Sequence, residues 1–153
     1  MAAEARMDIR RATSDDLGQI APLLDAAELP PLPGNLPLAN VLVALRDAVV
    51  IGVVAMEVRG LRGLVRSVAV EPGHSRRGVG TSLLQSLLAR AQELSLRELY
   101  LLTEGAERFF DNAGFVAVPR DTVPAEIRST REYREQCSES ATVMRLRLVT
   151  RHV

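Results

Sequence analysis

The sequence has no lysine and no tryptophan, one cysteine, Cys137, and only 3% aromatic residues among its 153. Without lysine there is no Walker A phosphate loop, whose motif requires one. A lone cysteine excludes a disulfide framework within the chain and any site built from several of its thiolates. The histidines, His74 and His152, lie too far apart in sequence to form a local ligand pair, so no metal is expected. Few aromatics and a net charge of zero, 19 cations against 19 anions, supply neither the stacking platforms nor the basic face of a nucleic-acid reader. No run approaches the ~20 apolar residues that span a bilayer, and Met1 to Arg11 lacks the apolar core of a signal peptide. The expectation is a soluble, cytoplasmic protein with no nucleic-acid or membrane partner.

What is present is more specific. Every cationic site is an arginine, a permanently charged, fork-shaped donor suited to carboxylate and phosphate. The length suits a single compact domain, residues 1–153. Met7 to Ala12 reads as a strand, and Thr13 with Asp16 resembles a capping box opening a helix whose apolar positions are Leu17, Ile20, Ala21, Leu24 and Ala27. Four prolines between Pro30 and Pro37 make a short stiff connection. Val41 to Leu45 and Val49 to Val58 form a hairpin about Arg46-Asp47-Ala48, with Gly52 a possible bulge. After the turn Arg59 to Gly63, Leu64 to Val70 is the next strand.

Val79 to Leu94 is strongly amphipathic and predicts a helix. A strand Glu98 to Thr103, a short helix from Glu104 to Asn112 stopped by Gly114, a strand Phe115 to Val118, a polar helix Pro124 to Gln136 and a closing strand Thr142 to Val149 complete the chain. The order predicts an α/β domain with a largely antiparallel front half and a crossover helix after the third central strand. The apolar closing strand, Val143 to Val149, makes a homodimer paired across that strand an expectation.

The chemically suggestive segment runs from Val68 to Thr81: a strand, a glycine-rich bend, then the start of the amphipathic helix. Helix N-terminal amides and the positive end of the helix dipole bind anions. Gly78 and Gly80 remove side chains where backbone would approach a ligand, and Arg76 and Arg77 are unfavourable at a helix start unless an anion offsets them. The same residues also fit a solvated loop whose glycines only turn the chain. A dinucleotide fingerprint would need glycine where Leu83 stands.

Ser75-Arg76-Arg77-Gly78-Val79-Gly80, after Val70-Glu71-Pro72, resembles the acetyl-CoA pyrophosphate loop of the GNAT family of N-acetyltransferases, Q/R-x-x-G-x-G/A behind a V-x-P strand. Ser75 departs from that pattern and removes a side-chain contact. Phe109 to Phe115 is similar to the family's helix and strand beyond the cofactor. The resemblance implies a mixed, mostly antiparallel central sheet splayed between two strands and flanked by helices, with acetyl-CoA as co-substrate. It implies that Val68, Ala69 and Val70 pair with the pantetheine arm, that a backbone amide at Val68 polarises the thioester carbonyl, and that Arg76, Arg77, Gly78, Val79, Gly80 and Thr81 hold the pyrophosphate. Many relatives place tyrosine at the position of Phe110, which cannot donate a proton. Tyr133 is then the candidate donor, Tyr100 a poorer one inside an apolar strand, and Glu57 or Glu104 the candidate base.

Leu101 to Glu104, Phe109-Phe110 and Val123 to Met144 resemble the amino-acid N-acetyltransferases, most of all a small single-domain set found in arsenic-resistance operons. The substrate implied is a small amine with an acidic head group, an amino acid or an amino-acid-like compound, with Thr103 and Phe110 lining its site. Arg66 shares the facing of Val68 by strand period and is either a bidentate carboxylate binder or a surface arginine. Cys137 reads as a nucleophile, an arsenic(III) ligand or an inert thiol. Protein N-terminal acetylation, a non-catalytic acyl-CoA-binding module and, last, a nucleic-acid adaptor are the competing functions.

Overall fold

In a computed structural model, residues 7–74 and 78–149 are described. The strands are β1 (Met7–Arg11), β2 (Val41–Arg46), β3 (Val49–Arg59), β4 (Arg62–Val70), β5 (Glu98–Thr103), β6 (Val116–Ala117) and β7 (Thr142–Arg147). The helices are α1 (Leu17–Ala26), α2 (Val79–Glu93), α3 (Glu107–Asn112), α4 (Ala125–Arg128) and α5 (Arg131–Gln136). The seven strands take the order β1-β2-β3-β4-β5-β7-β6. β1·β2, β2·β3, β5·β7 and β6·β7 are antiparallel and β4·β5 is parallel, so the sheet is mixed and mostly antiparallel, as expected. No helix among the described residues is long and apolar enough to cross a membrane.

The chain divides into two compact units, residues 1–55 with 67–89 and residues 56–66 with 90–153. In the first, α1 lays Ile20 and Leu24 on Val41 and Val43 of β2 and Val53 and Ala55 of β3, and Leu29, Leu32, Leu36 and Leu38 of the proline-rich connection pack against the same core. The Thr13 box opens a short 3-10 turn, Ser14–Asp16, that runs into α1: the Asp16 carboxylate accepts from the Thr13 amide at 2.7 Å and takes both arms of the Arg10 guanidinium at 2.7 and 3.0 Å. The β2·β3 register passes from Ala44↔Gly52 to Leu45↔Val50 and leaves Ile51 as the extra residue. The bulge therefore sits beside Gly52, whose own requirement is space: a Cβ there would stand 2.8 Å from Leu83 and 3.1 Å from Val79 of α2.

In the second unit, Leu64, Tyr100, Val123, Ile127, Tyr133 and Val143 form the core. Two expectations are corrected here. The polar helix from Pro124 to Gln136 is two short helices, because Thr130 is extended (φ −66°, ψ 146°) and its hydroxyl serves both of them. It donates to the Ile127 carbonyl at the end of α4 and accepts from the Tyr133 amide at the start of α5. The closing strand β7 lies between β5 and β6, so it is not the free sheet edge on which pairing across a dimer depends.

The feature that matters most for function is in β4. Its ladder with β5 comprises Arg62↔Glu98, Gly63↔Leu99 and Leu64↔Tyr100, although β4 continues to Val70 and β5 to Thr103. The paired register thus ends at Leu64↔Tyr100. Ser67, buried inside β4, has a left-handed backbone (φ 59°) that breaks the period-2 alternation. The equal facing inferred for Arg66 and Val68 therefore does not hold.

Candidate active site

In the first unit the expected cofactor residues fall on two neighbouring stretches of chain. Val68, Ala69 and Val70 end β4 past its last β5 partner. Gly78 then opens α2 in the left-handed region (φ 74°), where an L side chain is strained, although among the described residues no atom beyond its chain neighbours and its own helix's backbone lies within 4 Å of where a Cβ would project. The Ser82 amide bonds the Gly78 carbonyl at 3.0 Å, so Val79, Gly80 and Thr81 form the first turn, whose amides project from the helix end where the dipole is positive. An open glycine at the mouth of a 15-residue helix fits a phosphate group. Ser75, Arg76 and Arg77 lie outside the described residues. One contact was not anticipated: His74 Nδ1 meets Glu71 Oε2 at 2.5 Å, an i,i+3 pairing within Glu71-Pro72-Gly73-His74.

The second unit holds Glu57, Arg66, Thr103, Phe110 and Tyr133. Glu57 and Arg66 meet, and a residue absent from the sequence reading joins them. Arg66 Nη1 donates to Glu57 Oε1 at 2.5 Å and Nη2 pairs with Glu132 Oε2 at 3.1 Å, with the three side chains 4, 8 and 10% exposed. Arg59 closes on the other Glu57 oxygen at 3.2 Å. Arg66 is thus neither a surface arginine nor an open carboxylate receptor, and Glu57 is not an open base. Burial, with the Glu57 charge opposing Arg66, raises the Glu132 carboxyl above the usual range. A guanidinium buried at mid-strand demands carboxylate partners. That demand is a sequence signal, but nothing in the sequence singles out Glu132, 66 positions along the chain.

Tyr133 is buried in the second core, and burial first, then a hydrogen bond with Cys137, pushes its phenol up, so it holds its proton at neutral pH. Tyr100 is likewise buried and pushed up by burial. Phe110 packs edge-on against Phe109 and Phe115, with ring centroids 5.0 and 5.9 Å away. Thr103 is buried at the end of β5 opposite Thr142. Glu104 is exposed, and the Ser138 and Ser140 hydroxyls that donate to it hold its carboxyl below the usual range, the wrong direction for a base.

Comparison with known proteins agrees with this geometry. The acetyltransferase (GNAT) domain model matches residues 37–117, more than half of the chain. An amino-acid acetyltransferase of Mycobacterium tuberculosis is 30% identical over 139 residues, covering 81% of this chain and 76% of that protein. One of Ralstonia nicotianae is 31% identical over 129 residues, 78% of this chain but only 29% of its own length. The N-acetylglutamate synthase of Neisseria gonorrhoeae, solved with coenzyme A and N-acetyl-glutamate, shares the fold with a TM-score of 0.80 over 97% of this chain and 36% of that one, at 23% identity. These matches lead to one conclusion: the chain belongs to the GNAT acetyltransferase family.

Proposed function

We propose that the protein transfers the acetyl group of acetyl-CoA directly to the amine of a small amino acid or amino-acid-like compound. The observation that carries this is the left-handed Gly78 opening α2 directly behind a β4 end that has no β5 partner. That arrangement offers backbone polar groups to an extended amide-bearing arm and helix-end amides to its phosphates. The relatives named amino-acid acetyltransferase support the substrate class.

Acetyl-CoA supplies the activated thioester, and the chain's own groups do the rest. Val68, Ala69 and Val70 present backbone to the pantetheine arm, and the Val68 amide polarises the thioester carbonyl. Arg76, Arg77, Gly78, Val79, Gly80 and Thr81 hold the pyrophosphate. Tyr133, kept neutral by burial, donates a proton to the departing thiolate. Thr103 and Phe110 line the amine site. Glu57 and Glu104, the two candidate bases, are engaged by guanidinium and hydroxyl donors, so the amine arrives as the free base and loses its proton to water. Dependence on acetyl-CoA puts the reaction with the cytoplasmic acetyl-CoA pool.

A thiol-release assay with acetyl-CoA tests this against acidic and neutral amino acids, phosphinic amino-acid analogues, organoarsenicals carrying an amine, and peptides with free N-termini. Turnover of amino-acid-like amines is expected, and activity on the arsenical would extend the reading to arsenic detoxification. Turnover of peptides alone would move the function to protein N-termini. CoA binding without turnover of any member would leave a non-catalytic module.

A further inference from the structure

We propose that Arg66 is a positioning residue that, through Glu132, fixes α5 and with it the Tyr133 hydroxyl; this rests on reading Tyr133 as the proton donor. Helix α5 has six residues, far below the length at which a helix holds itself in water. Its placement therefore comes from outside. Thr130 caps its first turn, and the next fixed point is Glu132, held by a guanidinium that β4 carries into the interior. Tyr133 follows Glu132 directly in the chain, so any shift of that carboxylate moves the backbone that bears the phenol.

The grip is itself braced. Glu57 of β3 takes the other arm of Arg66, and Arg59 backs Glu57, so the chain of contacts Arg59, Glu57, Arg66, Glu132 crosses two strands and a helix within one unit. A buried ion pair contributes little net stability compared with apolar packing, but it fixes direction, because each fork arm accepts only a narrow geometry. A network of this kind that serves no catalytic group would be an expensive way to anchor six residues. Serving the phenol read as the proton donor gives it a purpose. The phenol's other close groups are Cys137, Arg120 and Arg128.

The test is a mutant cycle on the full chain with two readouts. Glu132→Gln keeps shape and removes the charge, and Arg66→Lys keeps the charge and removes the fork. In the otherwise unchanged protein each is expected to lower kcat about tenfold with KM for acetyl-CoA unchanged, since misplacing a donor by about 1 Å costs of that order or more. In a Tyr133→Phe background each is expected to change kcat by less than about twofold, because the group being positioned is gone. A merely structural bridge would instead give equal losses in both backgrounds, and that result overturns the proposal, as does no loss in either. The second readout needs no turnover: the chain has two tyrosines, and ultraviolet titration with Tyr133→Phe as the reference isolates the Tyr133 phenol. Its ionisation is expected to move toward the ordinary tyrosine range in Glu132→Gln, and an unmoved titration overturns the positioning. Absence of turnover in the unaltered protein, with that titration shifted as expected, would sink the acetyl-transfer reading and leave the positioning of Tyr133 standing.

Discussion

At the scale of single residues, the proposed cofactor site is tested first at Gly78. Its φ of 74° costs an L residue roughly 1–2 kcal/mol, and more where the side chain is branched at Cβ. Among the described residues nothing packs against the would-be Cβ, so the expected effect of Gly78→Val is strain in the backbone that opens α2. Affinity for CoA, read by calorimetry, is expected to fall at least about tenfold while the far-ultraviolet spectrum stays native. Undiminished affinity would remove the anion site from this helix end. The glycine turn into α2 was legible because its motif is local. Ser67 was not: it adopts a left-handed conformation with no glycine to announce it, and the strain is visible only in the folded strand. Arg66 was legible as a charge on a strand but not as a bridge, since Glu132, the partner that completes it, is distant in sequence.

Asp16 carries a pH dependence at the same scale. Two guanidinium bonds from Arg10 and the Thr13 amide lower its carboxyl to about 2. A carboxyl depressed by folding stabilises the native state in full above its ordinary range near 4, and that contribution disappears as pH falls toward about 2. Solvent around the half-exposed Arg10 reduces the size, so Asp16→Asn is expected to cost on the order of 1–2 kcal/mol at pH 7 and almost nothing at pH 2. Urea unfolding of both proteins across that range measures it; a gap that does not close toward pH 2 would assign the stability elsewhere.

At the scale of elements, Thr130 decides whether residues 125–136 are one helix or two. The segment reads as one polar helix from Pro124 to Gln136, but threonine at its centre offers a side-chain oxygen that competes with the helical backbone. In the fold that hydroxyl donates at 2.7 Å to α4 and accepts at 3.2 Å from α5, and it is buried. Thr130→Val keeps volume and loses both bonds, an expected loss of about 1–2 kcal/mol by thermal or urea unfolding. A variant of unchanged stability would mean that core packing alone sets the break. The β2·β3 hairpin shows the opposite case. Its turn residues Asp47 and Ala48 both lie in the left-handed region, and Ala48 is a poor choice there. Two β-branched strand runs nevertheless made the hairpin readable without a turn signal.

At the scale of the whole molecule, the mixed, mostly antiparallel sheet followed from a motif and an order of elements, whereas the place of β7 inside that sheet did not. Nothing in the order of elements says that the last strand inserts beside β5 rather than adding outside β6. The distribution of acidic groups has a kinetic consequence. Glu57 and Glu132 share Arg66 inside the fold, and the exposed Glu104, bonded at one oxygen by two serine hydroxyls, has its carboxyl held below the usual range, so none of the three is set up as a base toward an incoming ammonium group. The amine must then arrive neutral, and kcat/KM should rise with unit slope as pH approaches the amine's own pKa. Comparing substrates of different basicity separates this from an enzymic base: without a base the midpoint of the profile moves with the amine, while with one it stays fixed across substrates. A midpoint common to amines of different pKa would require a base among the remaining titratable groups, His74 paired with Glu71 being the first to replace.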